Sequence, residues 1–120
     1  MTRPDLTRLL GEIVVVRVDR PLGSRHPCYP DLVYSVNYGY LPGTVSGDGQ
    51  PIDAYLLGVD MPVEDERGPV IAVIIRADDA EDKLVVAPGG RRFTVDEIAE
   101  AVAFQERFFR NHIVIPTEPS

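Results

Sequence analysis

Two short acidic stretches of this chain have the residue types that hold a divalent cation. Asp48 and Asp53 flank Gly49 and Pro51 in DGQPID, and Asp78, Asp79, Glu81 and Asp82 crowd into ADDAEDKL with Lys83 directly behind them. Mg2+, or Mn2+ with the same preference for oxygen ligands, is held by a few carboxylates together with waters and substrate phosphates. Two aspartate-rich loops that converge beside a cationic side chain would therefore suit a phosphorylated substrate. Each loop also has a plainer reading. Asp, Gly and Pro are the residues that turns use, and a run such as DDAED is most often a solvated hairpin tip. Gln50 sits between the two aspartates of DGQPID. Its carboxamide oxygen can coordinate a metal, but it carries no charge and takes no proton from water.

The elements that must position these loops are mostly strands. EIVVVRVD (12 to 19) is β-branched and runs into RPLGSRHPCYPD, whose prolines and glycine end regular structure. LVYSVNYGYL (32 to 41) alternates with period two, so Tyr34, Val36, Tyr38 and Tyr40 share one face. Further strands are expected at IDAYLLGV (52 to 59), PVIAVIIRA (69 to 77) and DKLVVAP (82 to 88), each bounded by Gly, Pro or Asp. Strands spaced this closely predict a small, mostly antiparallel β-barrel. The period then changes. TVDEIAEAVAFQERFFRNH opens with Thr94 and Glu97 in capping-box spacing, and Val95, Ile98, Val102 and Phe109 recur at helical intervals. A helix over about 95 to 111 should close an α+β domain from outside the barrel, packing Phe104, Phe108 or Phe109 against it. HIVIPTEPS could add a short final strand.

Composition narrows the function. A chain of 120 residues, 44% hydrophobic, has the size of one packed domain spanning residues 1 to 120. A net charge of −7 repels phosphate backbones and argues against a nucleic-acid partner. The longest apolar runs, IVVV and VIAVII, fall well short of the roughly 20 residues that span a bilayer. The N-terminus has no apolar signal core and Cys28 is the single cysteine, so a cytoplasmic location without an intrachain disulfide is expected.

NYGYLPGT followed by DGQPID resembles the signature region of the family I soluble inorganic pyrophosphatases, in which a YPxNYGYIPxT-like segment leads into an Asp-x-Asp-Pro-x-Asp motif. Tyr34, Asn37, Tyr38, Gly39, Tyr40, Pro42 and Thr44 are kept, as is the step from Tyr40 to Asp48. The resemblance runs over about residues 32 to 88 and implies a compact β-barrel, a homo-oligomer and Mg2+-dependent hydrolysis of pyrophosphate. By this resemblance Asp48, Asp53, Asp78 and Asp82 are metal ligands, Lys83 binds phosphate, and Tyr34 and Tyr38 are active-site tyrosines. For the tyrosines, packing on a barrel face is an equal alternative. An arginine near DRPLGSRHP should clamp phosphate, with Arg25 the first choice and Arg20 the second. His26, His112 and Cys28 are expected to play no part. The family's helical tyrosine and lysine correspond at best to Phe109 and Arg110, and Arg110 could still bind phosphate. Gln50 replaces the middle aspartate, which the family uses to hold and deprotonate the attacking water. The early-strand Lys and Glu also have no match in EIVVVRVD. These departures open two alternatives: the same scaffold acting on another phosphorylated small molecule, or a phosphate- or metabolite-binding protein without catalysis.

Overall fold

The computed structural model describes residues 5–47, 49–77 and 81–116. Its strands are β1 (Ile13–Arg20), β2 (Asn37–Leu41), β3 (Ile52–Leu56), β4 (Asp65–Arg76), β5 (Lys83–Val86) and β6 (Asn111–Val114). They lie in the order β1-β2-β3-β5-β4, and a β1–β4 pairing closes the ring into a five-stranded barrel. β3 and β5 run parallel, while β1–β2, β2–β3, β4–β5 and β1–β4 are antiparallel. β4 is long enough to serve two neighbours on one side. Its first residues pair with β1, from Ile13↔Pro69 to Arg17↔Asp65, and its last with β6, from Val73↔Val114 to Arg76↔Asn111.

Period two sorts the strand residues into two layers. Val16, Leu41, Ile52, Ala54, Leu56, Val70, Val73, Leu84 and Val86 fill the barrel interior, and Leu6 of the short 3-10 helix Leu6–Leu9 joins them. The alternate positions Tyr38, Tyr55, Ala72, Ile74 and Val85 form an outer apolar face. The helix α1 (Val95–Glu106) lays Ile98 and Val102 on that face. Its N-terminus carries the expected capping box, with Thr94 Oγ1 accepting from the Glu97 amide at 3.1 Å and the Thr94 amide donating to Glu97 Oε1 at 2.8 Å.

β3 and β5 end at Leu56 and Val86, two or three residues short of the sequence expectation, and three other elements differ from it by more. β2 begins at Asn37, not at residue 32, because residues 32–34 pair locally with the preceding loop. An Arg25↔Val33 bridge and a Tyr34 amide to Ser24 carbonyl bond of 2.9 Å make that pairing. β4 begins four residues before its apolar run, where the ladder to β1 holds polar residues in the sheet. The helix stops at Glu106, since Phe108 and Phe109 turn the chain back on the carbonyls of Gln105 and Glu106 so that β6 can start at Asn111.

The glycine of NYGY is fixed by contact. A Cβ on Gly39 would lie 1.9 Å from the Arg17 carbonyl oxygen, so β1 can cross β2 this closely only over a bare α-carbon. Asn37 is fully buried and joins two loops at this end of the barrel. Its Oδ1 accepts from the Leu22 amide at 2.9 Å, and its Nδ2 donates to the Met61 carbonyl at 2.9 Å.

Candidate active site

Strand register places the functional side chains. Tyr40 pairs with Asp53 and Asp53 with Lys83, so the three stand side by side on the outer face of β2, β3 and β5. One step further along, Tyr38 pairs with Tyr55 and Tyr55 with Val85. Tyr38, Asp53 and Lys83 of these rows lie in a cavity of about 860 Å3 whose lining also includes Asp19, Arg20, Tyr34, Arg76 and Glu81. The β1–β2 loop and the end of α1 wall it. A smaller pocket of about 330 Å3 opens beside it and brings Gln50 and Tyr40 to Asp19, Asp53 and Glu81.

The centre of the site is a cation held between two carboxylates. Lys83 is almost fully buried, and its Nζ donates to Asp53 Oδ2 at 2.6 Å and to Glu81 Oε1 at 2.5 Å. The two acids also bond to one another, and their affinities for a proton move apart. The hydrogen bond with Asp53, reinforced by burial, pushes the Glu81 carboxyl up to about 7. Burial also raises Asp53, but its bonds with Glu81, Lys83 and Tyr38 and the Lys83 charge outweigh that and hold it below the usual carboxylate value. Burial raises Asp19 too, against the pull of Arg20 and with a small push from Asp53. Tyr38 stays firmly protonated because it is buried beside the Asp53 charge, so it is a hydrogen-bond donor. Burial likewise raises Tyr34, whose hydroxyl donates to Gln105 Oε1 at 3.1 Å.

A second ion pair supports the floor from below. Arg76, at the end of β4, donates to Glu106 of α1 through Nη2 at 2.6 Å and Nε at 3.0 Å, with both side chains buried. The Tyr55 hydroxyl donates to the same Glu106 Oε2 at 2.6 Å and accepts from Gln105 Nε2 at 2.7 Å. Phe109 closes this corner, its ring centroid 3.7 Å from the Arg76 guanidinium carbon.

The sequence-derived residues distribute unevenly around this centre. Asp53, Lys83, Tyr38, Tyr34 and Arg20 line the large cavity, and Gln50 lines the smaller one. Asp48 and Asp78 lie outside the described residues. Asp82 is buried and turned back into its own strand connection, where Oδ1 accepts from the Arg76 amide at 3.0 Å. Arg25 donates to the Pro30 carbonyl at 2.8 Å in the exposed loop. Arg110 is exposed, with its carbonyl accepting from the Ala77 amide at 2.8 Å. Neither Arg25 nor Arg110 lines the cavity. Conversely, Glu81, Asp19 and Arg76 line it without having been singled out as site residues, and so do His26 and Cys28. For Glu81 the signal was present. Leu84 and Val86 point into the barrel, so Lys83 points out, and the same alternation carried back two residues selects Glu81 over Asp82.

Asp19, Asp53, Glu81 and the Gln50 carboxamide line one pocket and offer oxygen donors of the kind that Mg2+ or Mn2+ prefers. Asp53 and Glu81 stand close enough to hydrogen-bond, and a divalent cation would balance negative charge there. The donor chemistry fits a hard cation. Among the described residues, however, no three His, Cys, Asp or Glu side chains cluster closely enough to hold one by themselves.

Comparison with known proteins gives the family and the fold. A family model described as inorganic pyrophosphatase matches residues 9–113. An inorganic pyrophosphatase of Saccharolobus solfataricus is 36% identical over 76 residues, 61% of this chain and 41% of that protein. One of Aeropyrum pernix is 35% identical over 80 residues, 63% of this chain and 42% of that protein. The chain thus matches about two fifths of the length of these relatives. The crystal structure of an inorganic pyrophosphatase from Ehrlichia chaffeensis superposes with a TM-score of 0.68 at 17% identity, covering 88% of this chain and 87% of that one. One from Neisseria gonorrhoeae gives 0.61 at 20% identity, covering 83% and 79%. With the family model matching residues 9–113 of the 120, this protein belongs to the inorganic pyrophosphatase family.

Proposed function

We propose that this chain hydrolyses inorganic pyrophosphate, or a closely related phosphoanhydride, with Mg2+ or Mn2+ as its cofactor and more slowly than a site with an aspartate at position 50 would. The observation that carries this reading is the pairing of Asp53 with Lys83 set by strand register, with Glu81 bonded to the same Lys83 and all three lining one cavity. Asp53 and Glu81 are the cavity carboxylates that would hold the cation; Asp48 and Asp78 are the further ligands that the sequence motif nominates, while Asp82, whose Oδ1 accepts from the Arg76 amide, is set aside. When bound, the cation supplies charge neutralisation on the phosphates and lowers the pKa of attacking water. The chain's own residues do the rest. Lys83 and Arg20 bind the phosphate oxygens, the protonated hydroxyl of Tyr38 donates to them, and Tyr34, whose hydroxyl donates to Gln105 Oε1, would do so only by exchanging that partner. Gln50 can orient a water through its carboxamide but cannot take its proton. A general base typically contributes about 10² to 10⁴ in rate, so the chain loses a part of the acceleration and not all of it.

The test is phosphate release from pyrophosphate with Mg2+, by the unaltered chain and by Asp53→Ala. Release that depends on Mg2+ and falls in the variant is expected. Equal and negligible release by both would remove the proposal.

A further inference from the structure

The cavity has more room than pyrophosphate needs, and much of its lining is aromatic. At about 860 Å3 it falls in the range that encloses a drug-sized organic ligand. Asp53, Glu81 and Lys83 meet at one place in it. A run of neighbouring rings leads away from them, Tyr38 to Tyr34 at 5.5 Å, Tyr34 to His26 at 6.3 Å and His26 to Tyr29 at 5.1 Å, and Phe108 and Phe109 add further rings from the turn after α1. Tyr29 and Phe108 are 66% and 62% exposed, so two large aromatic faces stand open to solvent at the rim of a site that is otherwise charged. Pyrophosphate has no apolar surface to place against them.

Resting on the hydrolytic reading above, we propose that the substrate is a nucleoside diphosphate, with its phosphates at Lys83 and Arg20 and its base stacked on Tyr29 and Phe108. Three observations favour a base over another apolar group. The wall is aromatic more than aliphatic, and flat rings stack on flat rings whatever the base. Arg107, whose guanidinium carbon lies 5.0 Å from the Phe108 centroid, adds a planar cation to the same wall. Asp31 and Gln105 also line the cavity and carry oxygens that can accept hydrogen bonds from ribose hydroxyls. The reaction balances with water alone. The water oxygen bonds to the terminal phosphorus, the bond from that phosphorus to the bridging oxygen breaks, and nucleoside monophosphate, inorganic phosphate and one proton leave.

The experiment measures phosphate release with Mg2+ from ADP, UDP, a prenyl diphosphate and pyrophosphate, by the full chain and by Tyr29→Ala/Phe108→Ala. Both side chains are exposed, and a thermal melt checks that the variant folds. Loss of stacking on one base lowers binding by a factor of about 5 to 100. The variant's kcat/KM for ADP and UDP should fall by that factor while its value for pyrophosphate stays within twofold. Three results would overturn the proposal and leave the hydrolytic reading standing: turnover of pyrophosphate but of no nucleotide, an equal effect of the variant on nucleotides and pyrophosphate, or a preference for the prenyl diphosphate. No turnover of any substrate would overturn both.

Discussion

Replacing Glu106 tests whether the buried pair beneath the site holds the fold and the cavity together. The Arg76–Glu106 side chains are 4% and 3% exposed, and Glu106 Oε2 lies 2.6 Å from both Arg76 Nη2 and the Tyr55 hydroxyl. Glu106→Ala removes the carboxylate that balances a buried guanidinium, which costs about 3 to 5 kcal/mol in comparable pairs. The Tyr55 hydroxyl also loses its acceptor. It keeps the hydrogen bond from Gln105 at 2.7 Å, so its added cost is at the low end of the roughly 1 to 3 kcal/mol for a buried polar group left short of a partner. The two costs share one carboxylate and do not simply add. A loss of about 4 kcal/mol is therefore expected, a large fraction of the 5 to 15 kcal/mol by which small domains are stable. Urea unfolding measures it as a lower midpoint at unchanged slope. The double variant Arg76→Met/Glu106→Leu removes both charges and should recover most of the loss. A change below about 1 kcal/mol in Glu106→Ala, or a double variant no more stable than the single one, would refute the claim that this pair organises the floor.

Gln50→Asp should raise Mg2+ affinity and pyrophosphate turnover, the latter by no more than the 10² to 10⁴ that a general base supplies; a fall in both would mean that the DGQPID loop does not face the cation. Mg2+ at about one hundred times its Kd should stabilise the chain by about 2.7 kcal/mol, seen as a rise in Tm. Asp53→Ala should abolish that rise, and an undiminished Mg2+ response in the variant would exclude Asp53 as a ligand. Gly39→Ala forces a methyl group onto the Arg17 carbonyl, where backbone and not a movable side chain must give way. It should cost about 3 kcal/mol or more in chemical denaturation, and a loss under 1 kcal/mol would show that β1 and β2 can separate freely.

The parts of the fold that follow a local rule were legible. Period two in NYGYL and IDAYL puts Tyr38, Tyr40, Asp53 and Tyr55 on one face, and the ladder then makes neighbours of Tyr40 and Asp53. Thr94 and Glu97 announced the helix start that the structure has. What depended on distant partners was not legible. The local pairing of residues 23–34 displaced the start of β2, and it left Arg20, the last residue of β1, as the cavity arginine while Arg25 turned to Pro30. Arg76 stood out only as a charge ending the run VIAVII. Its counterion lies thirty residues further on, at a helix end whose position the 3.6 period did not fix. Nothing in a run such as DDAED shows which acid faces the site until the strand behind it supplies a phase.

That phase also explains why a glutamine is tolerable between the aspartates of DGQPID. Asp19, Asp53 and Glu81 already line the smaller pocket together, and Lys83 bonds to two of them. The hydrogen bond with Asp53, reinforced by burial, pushes the Glu81 carboxyl up to about 7. A fourth acid at Gln50 would add repulsion that only bound cations could offset. On the function proposed above, a neutral side chain there would let the site stay assembled with less cationic charge, and would give up a carboxylate that could take the proton from water. The same economy fits a cavity that gains binding energy elsewhere. Contacts with an organic group at the aromatic rim would hold a substrate in place without adding charge at the centre, and binding energy from parts of a substrate remote from the reacting phosphorus can be used to position it.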